Sequence, residues 1–469
     1  MKREGSYKAR GRLALVVLCL ASFMAVADST IVSVAMPSMR RDLSFTGADA
    51  QWVLNGYALA FGGLLLVFGR AGDLYGRRLM FCVGLGVFGA VSLLGGFAPS
   101  AGVLVAARFL QGAAAAAFVP ASLSLLTAIF AAGEERNRAI GLYGAMAALG
   151  FVVGMVGGGV ITDLLGWRWV LFVNVPVALA ALLAAPATIP ESQSPTVPRS
   201  LDLPGALAAT AGLAATIYAV SEVPEKGWVS PTTLGFGALG LSLLALFVGI
   251  ERRSRAPLVP LSVFRGAGIT VPNVAIFLQS TVGVAWLYAL TLYFQEVLGY
   301  GPLAAGLLFL PMALASVAGA PLAGRLASGL GAGRAAALGL GGVAVGLLLM
   351  AGVSEEGGLL IVLAGTVVGE AGFMFSNVSL TIAGSGGAGE DGRGLAAGLL
   401  NTSIQLGNAW GLGAVATLIA AVAASGSLAD GLRAGFLLCT VFAVLAVPIV
   451  LLGLPNKASH AADPRDAGE

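Results

Sequence analysis

Three ionisable side chains, Asp28, Arg108 and Glu370, lie within long apolar runs of this 469-residue chain. A lone charge at the centre of a bilayer costs about 3 kcal/mol on insertion scales, so such residues are rare and usually functional. Each of the three is therefore expected to face the interior of a helix bundle or a water-filled cavity. Intramembrane acids and bases are typical of proton pathways, and we assign all three to proton coupling as a hypothesis.

Asp28 is the predicted main proton acceptor, because the proton affinity of a carboxylate changes when it moves between a low-dielectric pocket and water. Arg108 keeps its proton and could modulate a nearby Asp28. Glu370 is predicted to be a second proton- or cation-binding carboxylate, although the sequence does not identify its partner. The alternative for Asp28 and Arg108 is a structural ion pair that only fixes the packing of two helices.

A second group of charges lies in the stretch Gly69–Arg78, which we predict to be a glycine-punctuated turn between two apolar runs. In the gating hypothesis, Asp73 meets the positive N-terminal end of a helix in the other half of the chain and holds one conformation closed. The simpler interpretation is an arginine-rich turn that marks the cytoplasmic side. The residues assigned to this gating loop are Gly69, Arg70, Asp73, Gly76, Arg77 and Arg78.

Uncharged polar and aromatic residues recur on helical faces and could line a path for large, partly apolar compounds. Asn401, Gln405 and Asn408, for example, share one helical face. The alternative is that such side chains form hydrogen bonds between helices or anchor helix ends at the membrane interface. The residues assigned to a substrate cavity are Asn55, Tyr57, Gln279, Trp286, Asn377, Asn401, Gln405 and Asn408.

A glycine-rich segment is predicted to bring two helices into close contact. Gly150, Gly154, Gly157 and Gly158 lie in one apolar run. Small residues four positions apart allow the backbones of two membrane helices to approach closely. We predict a packing surface here, with a hinge as the alternative.

The composition indicates a membrane protein, since 58% of the residues are hydrophobic and 10% are charged, whereas soluble domains carry about 25% charged residues. No basic cluster stands on a soluble domain, which argues against nucleic-acid binding. The three cysteines lie apart and the single histidine is His460. We therefore expect no metal, no bound cofactor and no enzymatic centre, with a proton gradient as the energy source.

Apolar runs long enough to cross a bilayer repeat along the whole chain and predict an all-α membrane protein. The first run follows a basic N-terminal segment but is too long for a signal peptide. Fourteen transmembrane helices are predicted over residues 13–35, 51–69, 79–98, 102–130, 139–162, 168–188, 204–222, 232–250, 269–292, 303–324, 334–353, 358–383, 394–423 and 433–454.

The distribution of basic residues predicts the orientation of these helices in a cell membrane. Of the 26 lysines and arginines, five fall in one set of alternating loops and Arg108 falls within a span, which leaves 20 on the opposite side. Lysine and arginine in short loops are retained in the cytoplasm. Both termini are therefore expected to be cytoplasmic.

An internal repeat divides the chain into two halves. Gly141 and Gly150 recur as Gly398 and Gly407, each shifted by 257 positions, and Gly69 recurs as Gly324 with a shift of 255. Such repeats are typical of secondary transporters. The predicted organisation is two pseudo-symmetric six-helix bundles with two inserted helices, over residues 1–190, 191–266 and 267–455, followed by a polar cytoplasmic tail at 456–469.

The repeat also relates the charged positions of the two halves. A shift of 257 aligns Glu370 with Ala113, about one helical turn beyond Arg108. Both halves thus carry ionisable side chains in equivalent helices, and we predict a central cavity that both face. The proton-coupling hypothesis requires that Asp28 reach this central opening.

Several segments together resemble the major facilitator superfamily over nearly the whole chain. Gly69–Arg78 is similar to its signature between spans 2 and 3, and Leu104–Gly112 is similar to its span-4 signature with a membrane arginine. Asp28–Pro37 resembles the span-1 motif of the fourteen-helix drug:proton antiporter branch, and Trp167–Pro176 also looks like that branch. The chain departs from the span-5 signature at Met155, which follows Gly154 where proline is usual.

The resemblance implies proton-driven export of drugs, antibiotics or similar amphipathic compounds by alternating access. The expected substrate is a small amphipathic molecule that could be cationic, and the expected partners are protons and the lipid bilayer, with the protein acting as a monomer. The alternatives are an exporter of one endogenous metabolite or lipid, or a membrane sensor that uses the same fold without transport.

Overall fold

The computed structural model describes residues 2–44, 47–191, 202–254, 257–354, 358–386 and 392–454. The predicted polar tail at 456–469, including His460, lies outside the described residues, as does most of the linker after residue 191.

The fold is all-α. Its α-helices, in chain order, are α1 Lys2–Asp42, α2 Gly47–Tyr75, α3 Arg77–Gly96, α4 Ala101–Ile129, α5 Glu134–Leu165, α6 Arg168–Phe172, α7 Asn174–Thr188, α8 Leu203–Ser221, α9 Val223–Lys226, α10 Pro231–Glu251, α11 Ala267–Leu292, α12 Pro302–Leu308, α13 Leu310–Leu330, α14 Ala332–Met350, α15 Leu359–Gly386, α16 Arg393–Ala423 and α17 Leu428–Gly453. A 3₁₀ helix covers Leu261–Arg265, and a π-helical turn at Tyr293–Val297 extends α11.

Within the described residues, fourteen helical segments are long and apolar enough to cross a membrane, which confirms the predicted number of spans. The sixth predicted span is divided between α6 and α7. Pro176 contributes to this break, because proline has no backbone N–H to donate to the carbonyl four residues earlier. The division places Asn174 at the first position of α7, where its side chain becomes part of the site described below.

The helices form two halves, α1–α7 and α11–α17, with α8 and α10 paired as the insertion between them. Helix α8 lies along α2 of the first half and also contacts α16 of the second. The two halves meet through α2 with α16 and through α5 with α13. The domain boundaries at 190, 266 and 455 stay predictions.

The end of the bundle that holds Arg10, Arg78 and the start of α16 is called the basic end below. It carries the segment predicted to be a gating loop, and here the prediction of a turn over Gly69–Arg78 is wrong. Helix α2 continues to Tyr75 and α3 begins at Arg77, so only Gly76 interrupts the helices. The charged residues do not end α2, because arginine is a good helix former, and the side chains of Asp73 and Arg77 are buried in contacts with each other and with α16.

Gly76 makes this sharp break possible because its φ angle is +117°, in a region that side chains disfavour. The second half has the same kind of helix break at Gly331, between α13 and α14, where φ is +84°. The two glycines are 255 positions apart, which is the shift that relates Gly69 to Gly324. The repeat seen in the sequence is therefore also a repeat of backbone conformation.

One face of α5 packs closely against α1 through three of the four predicted glycines. A Cβ atom added at Gly150 would lie 2.5 Å from the Phe23 carbonyl oxygen, and one at Gly154 would lie 2.8 Å from that of Ala27. Gly158 similarly meets Ile31. The prediction for Gly157 as a packing residue is wrong, since it points away from this interface and an added Cβ would meet only Val153 of its own helix at 3.8 Å.

The glycine face yields a matched pair of variants. Gly154→Ala should lower the thermal unfolding temperature in detergent, because inserting a methyl group into a packed contact typically costs about 1–3 kcal/mol. Gly157→Ala is the control and should leave the unfolding temperature unchanged or slightly higher, since alanine favours helix. Equal destabilisation by both variants would contradict the assignment of the packing face.

Candidate proton-coupling site and gate

The Asp28 carboxylate accepts hydrogen bonds from three side chains on two other helices. Arg108 Nη1 lies 2.6 Å from Asp28 Oδ2, and the Asn174 amide donates to Oδ1 at 2.7 Å. The Gln111 amide donates more weakly to Oδ1 at 3.4 Å. The predicted pairing of Asp28 with Arg108 is confirmed as a geometric contact. A carboxylate surrounded only by donors is in the environment that its ionised form requires.

The remaining contacts of Arg108 fix the guanidinium in place. Its Nε donates to the Val53 carbonyl at 3.2 Å, and Nη1 also donates to Gln111 Oε1 at 2.9 Å. The guanidinium carbon lies 4.4 Å from the centre of the Tyr57 ring, in a cation–π arrangement. Because several groups share the charge, the pair is held by α1, α2, α4 and α7 together.

Asp28 is sealed in this conformation, with no solvent-accessible surface, and Arg108 is 1% exposed. All three side chains that donate hydrogen bonds to Asp28 belong to the first half. Two predictions are therefore wrong for this conformation: Asp28 does not face a central cavity shared by both halves, and it does not reach the central opening that the proton-coupling hypothesis requires. The physical reason is that a buried carboxylate needs donors on all sides, and α4 and α7 supply them from within its own bundle.

The sequence hypothesis missed two members of this network, Gln111 and Asn174. Gln111 also donates to the Ser92 hydroxyl at 2.7 Å, and Ser92 in turn donates to the Phe88 carbonyl. A polar residue three positions after a membrane arginine lies on the same helical face, and that spacing could have identified Gln111. Asn174 had only a weaker signal, as a lone amide in an apolar run.

Glu370 lies on α15 in the second half, 6% exposed, with the Ser316 hydroxyl of α13 as its side-chain hydrogen-bond partner. Among the residues that the structure describes, no arginine or lysine forms an ion pair with it. Glu370 and Asp28 therefore occupy separate buried environments. Their expected convergence on one cavity is not observed.

Three of the residues assigned to a substrate cavity are part of the packed interior. Tyr57 contacts Arg108, and the Gln279 amide donates to the Phe373 carbonyl at 2.7 Å. Trp286 is 1% exposed within the hydrophobic core of the second half. None of these three side chains lies on an open wall in this conformation, because each is enclosed by neighbouring helices.

The other five assigned cavity residues are half-buried: Asn55, Asn377, Asn401, Gln405 and Asn408. The Asn401 amide donates to the Ala397 carbonyl of its own helix. Gln405 approaches Gly62 of α2, where the two halves meet. A role for this group in substrate binding stays a prediction.

Asp73 joins the two halves at the basic end. Its Oδ1 and Oδ2 each lie 3.0 Å from a backbone nitrogen, of Gly394 and Leu395 respectively, at the first turn of α16. These amides have no partner within their own helix, and the positive helix end favours an anion. Arg77 also donates twice to Asp73 Oδ1, at 2.8 and 3.0 Å.

The other residues assigned to the gating group surround this contact. Gly69 lies so close to α16 that an added Cβ would be 2.8 Å from the Gly394 carbonyl oxygen. Arg70 is buried and interacts electrostatically with both Asp73 and Glu251. Arg78 points the other way, toward Glu191 at 3.4 Å and the Ile189 carbonyl, so it is not part of the contact between halves.

The second half makes the corresponding contact with the first. Ser328 is related to Asp73 by the shift of 255 and Asn137 to Gly394 by the shift of 257. The Asn137 amide donates to the Ser328 hydroxyl at 2.9 Å. Two related contacts therefore close the basic end, one through a buried charge and the other through a neutral hydrogen bond.

Fourteen membrane-length helices in two related halves, with buried charges and a closed contact between the halves at one end, define a membrane transporter of the two-bundle type. Residues 18–412 match the Major Facilitator Superfamily, and the chain belongs to that family.

Two curated relatives and one solved structure illustrate this membership. The chain is 39% identical to the cephamycin export protein CmcT of Amycolatopsis lactamdurans, over 95% of this chain and 93% of that protein. It is 42% identical to the puromycin resistance protein pur8 of Streptomyces alboniger, over 66% of this chain and 61% of that protein. The human organic anion transporter MFSD10 (TETRAN) shares the fold with a TM-score of 0.67 at 18% identity, over 94% of this chain and 99% of that one.

The contact of Asp73 with α16 predicts that Asp73→Asn opens the basic end. Hydrogen bonds to charged groups contribute about 1.5–3 kcal/mol, so losing the charge should lower the ratio of closed to open states by at least about tenfold. Disulfide formation between Asn137→Cys and Ser328→Cys, in a chain without its native cysteines, reports the closed state. The crosslinking rate should fall with Asp73→Asn and stay unchanged with Asp163→Asn, an exposed acid of α5. An unchanged rate with Asp73→Asn would contradict the role of the contact.

Proposed function

We propose that this transporter exports antibiotic-like amphipathic compounds in exchange for protons by alternating access. The observation that carries the proposal is the sealed Asp28–Arg108 pair, because every side-chain donor to this buried acid comes from its own half and proton exchange therefore requires a rearrangement inside that half. Both termini would lie in the cytoplasm, as the positive-inside rule predicts, and the protein would act as a monomer.

Protonation of Asp28 removes the charge that Arg108 and Asn174 hold by short hydrogen bonds. Separating a buried pair by removing one charge leaves the other uncompensated, at a cost of about 3–5 kcal/mol. Water entering between α1 and α4 would relieve that cost by solvating Arg108. Proton binding and a rearrangement of the first half are therefore coupled. Asp28 exchanges its proton with water in a conformation other than the sealed one.

The relatives support the direction and the substrate class. One is named for cephamycin export and another for puromycin resistance, so we propose the export of similar antibiotics. Because each of these names gives a single compound, an exporter dedicated to one compound is the second candidate function. A panel of substrates distinguishes the two, because a dedicated exporter responds to one compound class only. The membrane-sensor alternative predicts no substrate flux.

Glu370 is the second proposed coupling residue. Its hydroxyl partner Ser316 can donate to the carboxylate or accept from the protonated acid, so this site accommodates both states without a charged partner. Asp28 lacks that option. We therefore propose that Glu370 affects which substrates, cationic or neutral, are moved, whereas Asp28 is required for proton-driven flux.

Substrate uptake into inverted vesicles with an imposed pH gradient tests the proposal. Asp28→Asn should abolish gradient-driven uptake of a cationic dye and of puromycin, because the residue can no longer exchange a proton. The control Asp163→Asn removes an exposed acid of α5 and should keep wild-type uptake. Expression and unfolding temperature are compared across the variants, so that loss of folding is separated from loss of coupling.

Glu370→Gln is the second arm of the same assay and should narrow the substrate range while keeping gradient-driven uptake of at least one compound. Wild-type uptake that survives collapse of the pH gradient would overturn proton coupling. Full gradient-driven uptake by Asp28→Asn would overturn the role of the ion pair.

A further inference from the structure

A basic cavity of about 760 Å³ opens at the basic end of the first half, apart from both the ion pair and the contact between halves. It is lined by α1 around Arg10, by the starts of α3 and α5, and by the ends of α4 and α7. Its lining combines arginines at the rim with apolar side chains on the walls.

The charges of this cavity come from different helices. Arg10 and Arg12 of α1 are exposed, and within the described residues neither forms an ion pair. Arg78 of α3 is one-third exposed and is shared with Glu191. Glu135 is the acidic side chain of the lining. The rim therefore keeps a net positive charge, and two of its guanidinium groups are available to an anion.

The walls are apolar and continue to the outer surface of the bundle. Ile129, Phe130 and Ile189 line the interior. Directly beyond Arg12, Leu13 and Val16 are 52% and 58% exposed on the membrane-facing side of α1. A ligand that follows this surface would present its charge to the arginines and its apolar part to α1.

We infer that this cavity binds the headgroup phosphate of an anionic phospholipid. Basic pockets between transmembrane helices are suited to such headgroups, since the phosphate pairs with arginine while the acyl chains stay in the bilayer. The segments that adjoin the lining in sequence carry no excess of negative charge that could neutralise these arginines. Residues 192–201 contain no acid and one arginine, and residues 2–9 contain one glutamate against three basic residues.

The position of Arg78 gives this site a connection to the rest of the molecule. Arg78 follows Arg77, which holds Asp73 against α16, and only Gly76 separates both from α2. A phosphate bound at Arg78 would compete with Glu191 for its guanidinium. The site therefore adjoins the break between α2 and α3 without taking part in the contact between halves.

Lipid retention by the purified full chain tests the inference. The protein is reconstituted in nanodiscs of equal parts phosphatidylcholine and phosphatidylglycerol, extracted into detergent, and its bound lipids are quantified by native mass spectrometry. The wild type should retain phosphatidylglycerol in preference to phosphatidylcholine. Arg10→Gln with Arg12→Gln should retain about 30-fold less, since each arginine near an anionic headgroup contributes about 1 kcal/mol.

Two double variants serve as controls. Arg252→Gln with Arg253→Gln removes the same charge from exposed arginines after α10, outside the cavity, and should retain the lipid as the wild type does. Arg10→Lys with Arg12→Lys keeps the charge and should also retain it. Equal loss in the two glutamine variants would mean a general attraction of anionic lipid to basic residues, and would overturn the site.

An excess of inorganic phosphate distinguishes a lipid from a free anion. Phosphatidylglycerol should stay bound, because its acyl chains contribute to binding in addition to its phosphate. Displacement of the lipid by inorganic phosphate would overturn the assignment in favour of a free-phosphate site. Equal retention of both lipids by the wild type would also overturn it.

Discussion

The cost of burying the Asp28 charge is the constraint on which the first half of this transporter depends. Its carboxylate is sealed from solvent and is satisfied by Arg108, Gln111 and Asn174. Removing one member of a buried ion pair leaves the other charge without compensation. The donors come from α4 and α7, while the backbone of α2 and the ring of Tyr57 hold Arg108. Four spans are therefore connected to one another through a single ion pair and its hydrogen-bond partners.

A second constraint acts between the halves. Asp73 is a buried anion that accepts from two backbone amides at the start of α16 as well as from Arg77 of its own half, so part of its stabilisation depends on the position of the opposite half. The related contact between Asn137 and Ser328 has the same location in the repeat but carries no charge. The pseudo-symmetric halves therefore meet at the basic end through unequal contacts, and the stronger electrostatic response is expected on the side of Asp73.

These two buried carboxylates differ in what stabilises them. Asp28 is satisfied within one rigid half, whereas Asp73 is satisfied across the surface along which the halves separate. Opening the basic end removes hydrogen-bond donors from Asp73 directly. It changes the contacts of Asp28 only if α4 or α7 also moves. Alternating access with proton coupling thus requires a rearrangement inside the first half in addition to a rocking of the halves. Glu370, by contrast, has its side-chain hydrogen-bond partner, Ser316, in the second half.

Much of the architecture could be predicted from the sequence, because hydrophobic length and charge distribution directly determine membrane spans. The number of spans, the ion pair between Asp28 and Arg108 and the packing of Gly150, Gly154 and Gly158 follow from such patterns. The turn over Gly69–Arg78 was predicted wrongly, because the end of an apolar run was equated with the end of a helix, whereas arginine is a good helix former and only Gly76 breaks the backbone here. Sequence spacing also could not show that Asp28 points into its own half, because the direction depends on partners far away in the chain, such as Asn174.

The most direct measurement of the central claim is the reactivity of the Asp28 carboxyl group toward an apolar carbodiimide, which modifies protonated, accessible carboxyl groups. A chain with Asn137→Cys and Ser328→Cys is compared while its disulfide locks the basic end and after reduction, with modification read at the Asp28 peptide by mass spectrometry. We expect protection of Asp28 in the locked chain, as its complete burial requires, and modification after reduction that decreases as the pH rises. Equal modification in both states, or none in either, would contradict the coupling of Asp28 protonation to the movement of the two halves.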